Sequence, residues 1–233
     1  MLSGRLIIPL LFGLAAALSQ HVAAYTWPDK RIDLLEEYMF EPDALGTTSS
    51  SPAFGKFDCR ILGAEWLRTA YHDMATADVD AGTGGLDASI GLETSRSENA
   101  GSAFLNTLNF FVPLQSVRSS MADLIAMAAV LVTESCSNGS IHIPYRAGRV
   151  DATESSPEGR VPRPEQDLET HIALYKKQGF DATEMIGLVA CGHTIGSVHG
   201  RDFPDIVPIV QDPVRISHWP ADSTPSTALS LTI

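Results

Sequence analysis

The sequence is poor in positive charge, in cysteine and in long hydrophobic runs. It has 16 lysines and arginines against 28 acidic residues, a net charge of −12 at pH 7, and 3 cysteines. A surface this acidic disfavours nucleic acid and anionic membranes. The longest apolar run, residues 6–18, follows Arg5 and is trailed by small residues. It is too short to span a bilayer and predicts a cleavable secretory signal over residues 1–24.

The scarcity of cysteine limits the covalent cross-links. In the oxidising compartment that a signal implies, three cysteines predict one disulfide and one remaining thiol. Cys191 lies in a small, apolar helical stretch and is expected to be the free, buried thiol. Cys59–Cys136 is then the default bridge, although three cysteines alone leave the other pairings open. The sequon at Asn138 predicts glycosylation and an exposed turn after Cys136.

Strand signals are also few, because only residues 141–145 alternate between polar and apolar side chains. Helical periodicity and caps predict helices over 29–40, 58–77, 99–111, 119–133, 165–178 and 181–192. Long Gly-, Ser- and Asp-rich loops, 77–97 and 153–164, are typical of ion or substrate sites. We therefore predict a mainly α domain over residues 25–208, followed by an irregular tail over 209–233.

The first chemical motif is Arg68-Thr69-Ala70-Tyr71-His72-Asp73. Positions 68 and 72 are one helical turn apart, so both side chains leave the same face. An imidazole beside a fixed guanidinium can move a proton between peroxide oxygens while the cation stabilises the departing oxygen. An ordinary surface pair is the alternative.

Two further motifs could bind metals. His193, at a helix end among small residues, leaves room for a flat cofactor, and neutral imidazole is a common axial ligand of haem iron. A structural core histidine is the alternative. Asp73 and the segment Gly84-Gly85-Leu86-Asp87-Ala88-Ser89 offer hard oxygen ligands for calcium, unless this is simply a solvated acidic loop.

Together these motifs resemble a known family. Five segments resemble, in order and spacing, the secreted fungal haem peroxidases of the plant–fungal–bacterial superfamily. They are residues 66–73, 84–90, 97–101, 146–152 and 189–196. The resemblance covers roughly residues 57–208. It implies a fold of two helical lobes that sandwich haem b.

The resemblance also implies residue roles. Arg68 and His72 look like the distal pair, and His193 looks like the proximal iron ligand. Asn99 is similar to the asparagine whose amide oxygen accepts a hydrogen bond from the distal histidine. The remaining implied ligands are Asp73, Gly85, Asp87 and Ser89 for a distal calcium, Thr194 for a proximal calcium, and Pro162 and Pro164 beside the haem edge.

The sequence departs from the family at two places. Tyr71 stands where relatives usually have phenylalanine or tryptophan. The aspartate that normally bonds the proximal histidine, in a Phe-Asp context, has no counterpart after His193, and residues 209–233 follow an unrelated course. The expected proximal lobe is therefore incomplete.

The predicted function is a haem peroxidase that reduces hydrogen peroxide and oxidises small organic donors by one-electron steps. We expect an extracellular monomer that binds neither nucleic acid nor membrane. The alternative is a truncated, calcium-binding relic without a competent haem site. A metal-dependent hydrolase using His193 and His199 fits no standard ligand spacing. His171, on an amphipathic helix, is expected at the surface.

Overall fold

Helices dominate the part of the chain that the computed structural model describes, which is residues 59–137, 139–199 and 216–218. A π-helical turn, Cys59–Gly63, leads into the first of the five α-helices that lie within these described residues. These are α1 Ala64–Met74, α2 Ala103–Phe111, α3 Met121–Cys136, α4 Leu168–Lys177 and α5 Ala182–Gly192. Short 3-10 helices are Ser89–Leu92, Ser97–Asn99 and Val112–Leu114. The predicted mainly α fold is confirmed.

The core lies where α1, α2 and α3 meet. Trp66 of α1 is fully buried, with its ring centroid 5.0 Å from that of Phe110 and 5.0 Å from that of Phe111. The helix α3 is buried along its first eight residues because its sequence is alanine-rich and apolar on all sides. Its first turn is capped by the Ser120 hydroxyl, which accepts the Asp123 N–H. This core gives α1 a rigid support.

The second pair of helices, α4 and α5, is started and stopped by local signals. The Asp181 and Glu184 side chains form the predicted capping box at the start of α5. Asp167 caps α4 by accepting the Thr170 N–H. The helix α4 ends before Gly179, whose φ of +96° is a left-handed conformation that favours glycine. The positions of both predicted helices are confirmed to within a few residues.

The cysteine prediction is partly right. Cys59 and Cys136 form a disulfide that joins the π-helical turn to the end of α3, as expected. Cys191 is the free cysteine, but it is exposed, so the prediction that it is buried was wrong. The reason is that α5 buries only Met185 among its residues. A small apolar stretch indicates burial only when another element covers it.

Other differences concern strands and the ends of the chain. Residues 141–145 form no strand, and the segment pairs with no strand in the part of the chain that the structure describes. A short antiparallel pair, β1 Ser197–His199 and β2 Ile216–His218, lies instead at the end of the described chain. The predictions for residues 1–58 and for most of 209–233 lie outside the described residues. None of the described helices is long and apolar enough to cross a membrane.

Candidate active site

Arg68 and His72 lie against the same aromatic ring. Both belong to α1, and the fully buried Phe104 of α2 faces them. The Arg68 Cζ atom is 4.6 Å from the centroid of the Phe104 ring, and the His72 ring centroid is 4.8 Å from it. Arg68 Nη2 also donates to the Ala100 carbonyl at 2.9 Å. The predicted pair thus shares one face of α1.

Asn99 holds the His72 imidazole in one orientation. The His72 Nδ1 and Asn99 Oδ1 atoms are 2.9 Å apart. The Asn99 Nδ2 donates to the Glu93 carbonyl at 3.0 Å, which identifies Oδ1 as the acceptor of the amide. His72 therefore donates its Nδ1 proton to Asn99, and its Nε2 carries the lone pair. The hydrogen bond that the family resemblance implied is present.

The electrostatic environment of His72 favours the neutral ring. Burial, and after it the nearby Arg68 cation, lower the pKa of His72 to about 3, although the Asn99 hydrogen bond opposes both. His72 is only 8% exposed, so water provides little solvation for a charged ring. At neutral pH the imidazole is uncharged and able to accept a proton at Nε2.

Asp73 anchors the glycine-rich loop that follows α1. It is fully buried, and its Oδ2 and Oδ1 accept the N–H groups of Ala88 at 2.7 Å and Ile90 at 2.9 Å. Burial raises the pKa of this carboxyl to about 6, although the two backbone donors oppose that rise. Ala88 takes a left-handed φ of 63° to place its N–H there. The loop is thereby fixed to the end of the helix that carries His72.

The other implied calcium ligands lie in the same loop. Gly85 and Thr76 are joined by the Gly85 N–H, which donates to the Thr76 hydroxyl at 3.1 Å. Asp87 Oδ1 accepts the Ser89 N–H at 3.1 Å, and the Ser89 hydroxyl lies 3.1 Å from that of Ser156. Among the described residues, no group of three or more His, Cys, Asp or Glu side chains is arranged to hold a metal ion.

His193 lies directly after α5, as its C-cap residue, and is exposed. Its Nδ1 is 2.7 Å from the Val189 carbonyl, so Nδ1 carries the proton and Nε2 the lone pair. A carbonyl one turn earlier thus occupies the hydrogen-bonding position that the resemblance assigns to an aspartate. The Thr194 hydroxyl donates to the Cys191 carbonyl at 2.6 Å, so it serves the end of the helix.

Pro162 and Pro164 lie in the loop before α4, with Pro162 half-buried and Pro164 exposed. The residue between them, Arg163, is fixed at both backbone ends. Its N–H donates to Gln166 Oε1 at 2.8 Å, and its carbonyl lies 2.8 Å from His171 Nε2. His171 is buried, so the prediction that it lies at the surface was wrong. It faces inward because the loop covers that side of α4.

Three contributors to the site were not predicted. Phe104 lies in the helix predicted over residues 99–111, but its contacts with both Arg68 and His72 were not predicted. Glu93 and Arg96 fix the backbone around Asn99. The only sequence signal for the last two is the close spacing of opposite charges in Glu93-Thr94-Ser95-Arg96-Ser97-Glu98. Such a run is usually a solvated surface, and burial is decided by residues about sixty positions away.

A buried neutral imidazole beside a guanidinium, with a second histidine at a helix end, is typical of haem peroxidases. The comparison with protein families agrees. A family model described as Peroxidase matches residues 52–226. This chain belongs to that family, within the plant–fungal–bacterial peroxidase superfamily.

Several curated proteins are similar to this chain. A WSC domain-containing protein of Arthroderma benhamiae is 43% identical over 83% of this chain and 27% of its own length. Putative L-ascorbate peroxidase 6 of Arabidopsis thaliana is 33% identical over 56% of this chain and 40% of its own. A putative heme-binding peroxidase of Aspergillus fumigatus is 29% identical, over 70% of this chain and 51% of its own length. This chain therefore spans between about a quarter and a half of these relatives.

Proposed function

We propose that this chain is a haem-dependent peroxidase that reduces hydrogen peroxide and oxidises small organic donors in one-electron steps. The observation that carries the proposal is the His72–Asn99 hydrogen bond, 2.9 Å long, beside Arg68. It leaves a basic nitrogen in a buried, pre-organised position. Membership of the peroxidase family supports the same reaction class.

In this proposal His72 moves the proton. Its Nε2 takes a proton from the peroxide oxygen that enters the site and gives it to the oxygen that departs. A neutral ring is needed for the first step, and burial together with Arg68 keeps the pKa of His72 low enough for that. The proton shuttle then returns the ring to its starting state.

Arg68 supplies the fixed positive charge. Its guanidinium is held between the Ala100 carbonyl and the Phe104 ring, so it needs little reorganisation when negative charge develops nearby. The departing peroxide oxygen is the group that acquires this charge. A lysine at the same position would keep the charge but lose the planar stacking on the ring.

In this proposal, His72 and His193 would lie on the two sides of haem b that the family resemblance implies. His193 would hold the iron through Nε2, because Nδ1 donates to Val189. Bound haem supplies the oxidising power, while the polypeptide binds, orients and tunes it. A carbonyl accepts the Nδ1–H hydrogen bond less strongly than a carboxylate does. His193 would therefore donate less electron density to the iron than a carboxylate-paired histidine does. Pro162 and Pro164 are proposed to border the haem edge where donors approach.

Haem uptake and turnover of the full chain test the proposal. With haem added, we expect a Soret band and peroxide-dependent oxidation of a dye. His193→Ala should lose the band, whereas the control His142→Ala should keep it, because the His142 side chain is 78% exposed and pairs only with Glu134 among described contacts. A wild-type chain that takes up no haem contradicts the proposal.

Calcium binding at the distal loop is a second, separable part of the proposal. Asp73 at the end of α1 and Gly85, Asp87 and Ser89 in the following loop offer two carboxylates, a carbonyl and a hydroxyl. Each carboxylate oxygen has two lone pairs, so the present hydrogen bonds leave ligand capacity. Calcium at one hundred times its Kd should stabilise the fold by about 2.7 kcal/mol. Thermal melting with calcium or a chelator measures this stabilisation. Asp87→Asn, which removes one proposed ligand, serves as the comparison and should show a smaller effect of calcium.

One observation favours a second function. His193 is exposed and α5 buries only Met185. A calcium-stabilised peroxidase relic without competent haem binding would have these properties. Calcium-dependent melting in a chain that shows no Soret band would support the relic and exclude the enzyme.

We also propose secretion, with residues 1–24 removed and a glycan on Asn138. The Cys59–Cys136 disulfide supports an oxidising compartment. An acidic, monomeric, extracellular chain without nucleic-acid or membrane partners is the corresponding expectation. Mass spectrometry of the protein from culture medium tests both the cleavage site and the glycan.

A further inference from the structure

A partly buried arginine lies between two buried glutamates in the segment that carries Asn99. Arg96 Nη1 is 3.1 Å from Glu93 Oε2 and 3.8 Å from Glu98 Oε1. The side chains of Glu93 and Glu98 are 1% and 3% exposed, and that of Arg96 is 15% exposed. These three atoms do not meet hydrogen-bond geometry, so the contacts are ion pairs. Without the guanidinium, two buried carboxylates would lose their counter-ion.

This ion cluster joins two parts of the chain that are distant in sequence. Arg96 Nη2 donates to the Ser156 carbonyl at 2.5 Å, and the Ser156 N–H donates to Glu93 Oε1 at 2.6 Å. The Gly159 N–H donates to Glu98 Oε2 at 2.8 Å. Segment 93–99 is therefore held in shape by the loop 153–160, and charge assists all three of these bonds.

The same segment orients Asn99. The Glu93 carbonyl accepts the Asn99 side-chain N–H, and the Arg96 carbonyl accepts the Asn99 backbone N–H, both at 3.0 Å. Asn99 then accepts the Nδ1 proton of His72. Direct contacts thus run from Arg96 through Asn99 to His72, without a gap.

We propose that Arg96 is a positioning residue for His72, because the Glu93–Arg96–Glu98 cluster fixes the backbone that aims the Asn99 amide at the His72 ring. Its importance for catalysis rests on the proposed peroxidase function. Arg96 itself touches neither His72 nor Arg68 in any described contact. Its role is to hold the tautomer in which Nε2 of His72 is basic.

The tautomer can be measured in the full chain without any cofactor. The ¹⁵N chemical shifts of the His72 ring report which nitrogen carries the proton. We expect the wild type to show the Nδ1–H form, with slow exchange of that proton. Arg96→Met should give a mixture of tautomers and at least a tenfold faster exchange. The control Arg118→Met, at an exposed arginine, should match the wild type.

Two more variants guard against a simple failure to fold. Arg96→Lys keeps the charge but cannot reach Ser156 and both carboxylates together, so it should fold and show an intermediate exchange rate. Arg96→Met with Glu98→Gln removes one positive and one negative charge, which lowers the cost of the buried carboxylates. Loss of the Nδ1–H form in either folded variant supports the proposal. Wild-type tautomer and exchange in a folded variant overturn it.

The result is separable from the peroxidase proposal. If the wild type takes up no haem, yet its His72 tautomer depends on Arg96, then the proposed function fails and the positioning role stands. If the wild type turns over peroxide and the His72 tautomer is the same in the folded Arg96 variants, then only the positioning role fails.

Discussion

The α1–α3 region and the α4–α5 region differ in how much of their apolar surface is covered. The first eight residues of α3 are all buried, whereas α5 buries only Met185. Ile186 and Leu188 of α5 remain 64% and 38% exposed. The site at Arg68 and His72 thus lies on a well-packed core. The helix α5, which precedes His193, is mostly exposed. We expect the two regions to respond differently to the same kind of change.

The largest expected effect is on the distal side. His72→Ala removes the proton acceptor and donor, so peroxide turnover should fall by about 10²- to 10⁴-fold. The Soret band should persist, because His193 rather than His72 is the proposed ligand. Steady-state dye oxidation and absorbance of the haem-loaded chain measure the two quantities. Equal turnover in the variant and the wild type would contradict the role of His72.

Core truncation separates the two regions by stability. Phe111→Ala, in the fully buried core, should cost about 3–5 kcal/mol of unfolding free energy. The matched change Ile186→Ala on α5 should lie within about 0.5 kcal/mol of the wild type, since that side chain is mostly exposed. Urea unfolding measures both. A large cost at Ile186 would show that α5 is covered after all.

Amide exchange should reveal the same contrast without mutation. The amides of α3 lie in the core and should exchange only through global unfolding, whereas those of α5 should exchange through local opening. We expect protection factors of α5 to be lower by about 100-fold, a difference of roughly 2.7 kcal/mol. Hydrogen–deuterium exchange with mass spectrometry provides the measurement. Equal protection factors in α3 and α5 would contradict the expected difference in stability between the two regions.

The smallest expected effect concerns a contact between the two regions. Asp78, in the loop after α1, accepts bonds from Lys177 at the end of α4 and from Arg160, each at 3.0 Å. These two partners lower the pKa of Asp78 to about 2, below its usual value near 4. Stability from this contact is therefore present above pH 4 and lost as the pH falls towards 2.

Melting temperatures from pH 5 to pH 2 test this sign. Asp78→Asn should be slightly less stable than the wild type at pH 5, and the difference should vanish near pH 2. Asp80→Asn, in the same exposed loop, is the control and should change little. A difference that grows on acidification would mean that Asp78 destabilises the fold.

Much of the site could be predicted because its signals are local. The spacing of Arg68 and His72 by one helical turn places both on one face, whatever the rest of the chain does. The capping box at Asp181 fixes where α5 begins, and therefore where His193 follows. Asn99 required the family resemblance, because 27 residues separate it from His72.

Other features could not be predicted because burial depends on distant residues. Cys191 and His171 were misjudged in opposite directions, and both errors concern which element covers a helix face. The alternation at residues 141–145 indicated a strand, yet a strand requires a partner, and none of the described residues pairs with this segment as a strand. The buried ion cluster at Arg96 resembles a solvated charged run until the loop 153–160 closes over it.

By itself, the sequence determined the helices, the shared face of Arg68 and His72, and the family, since each depends on neighbours within a few turns or on ordered motifs. Only the tertiary structure decided the His72 tautomer and the partial burial and ion pairs of Arg96. Those properties arise from hydrogen bonds and desolvation between segments far apart in sequence, and no local pattern encodes the distance between them.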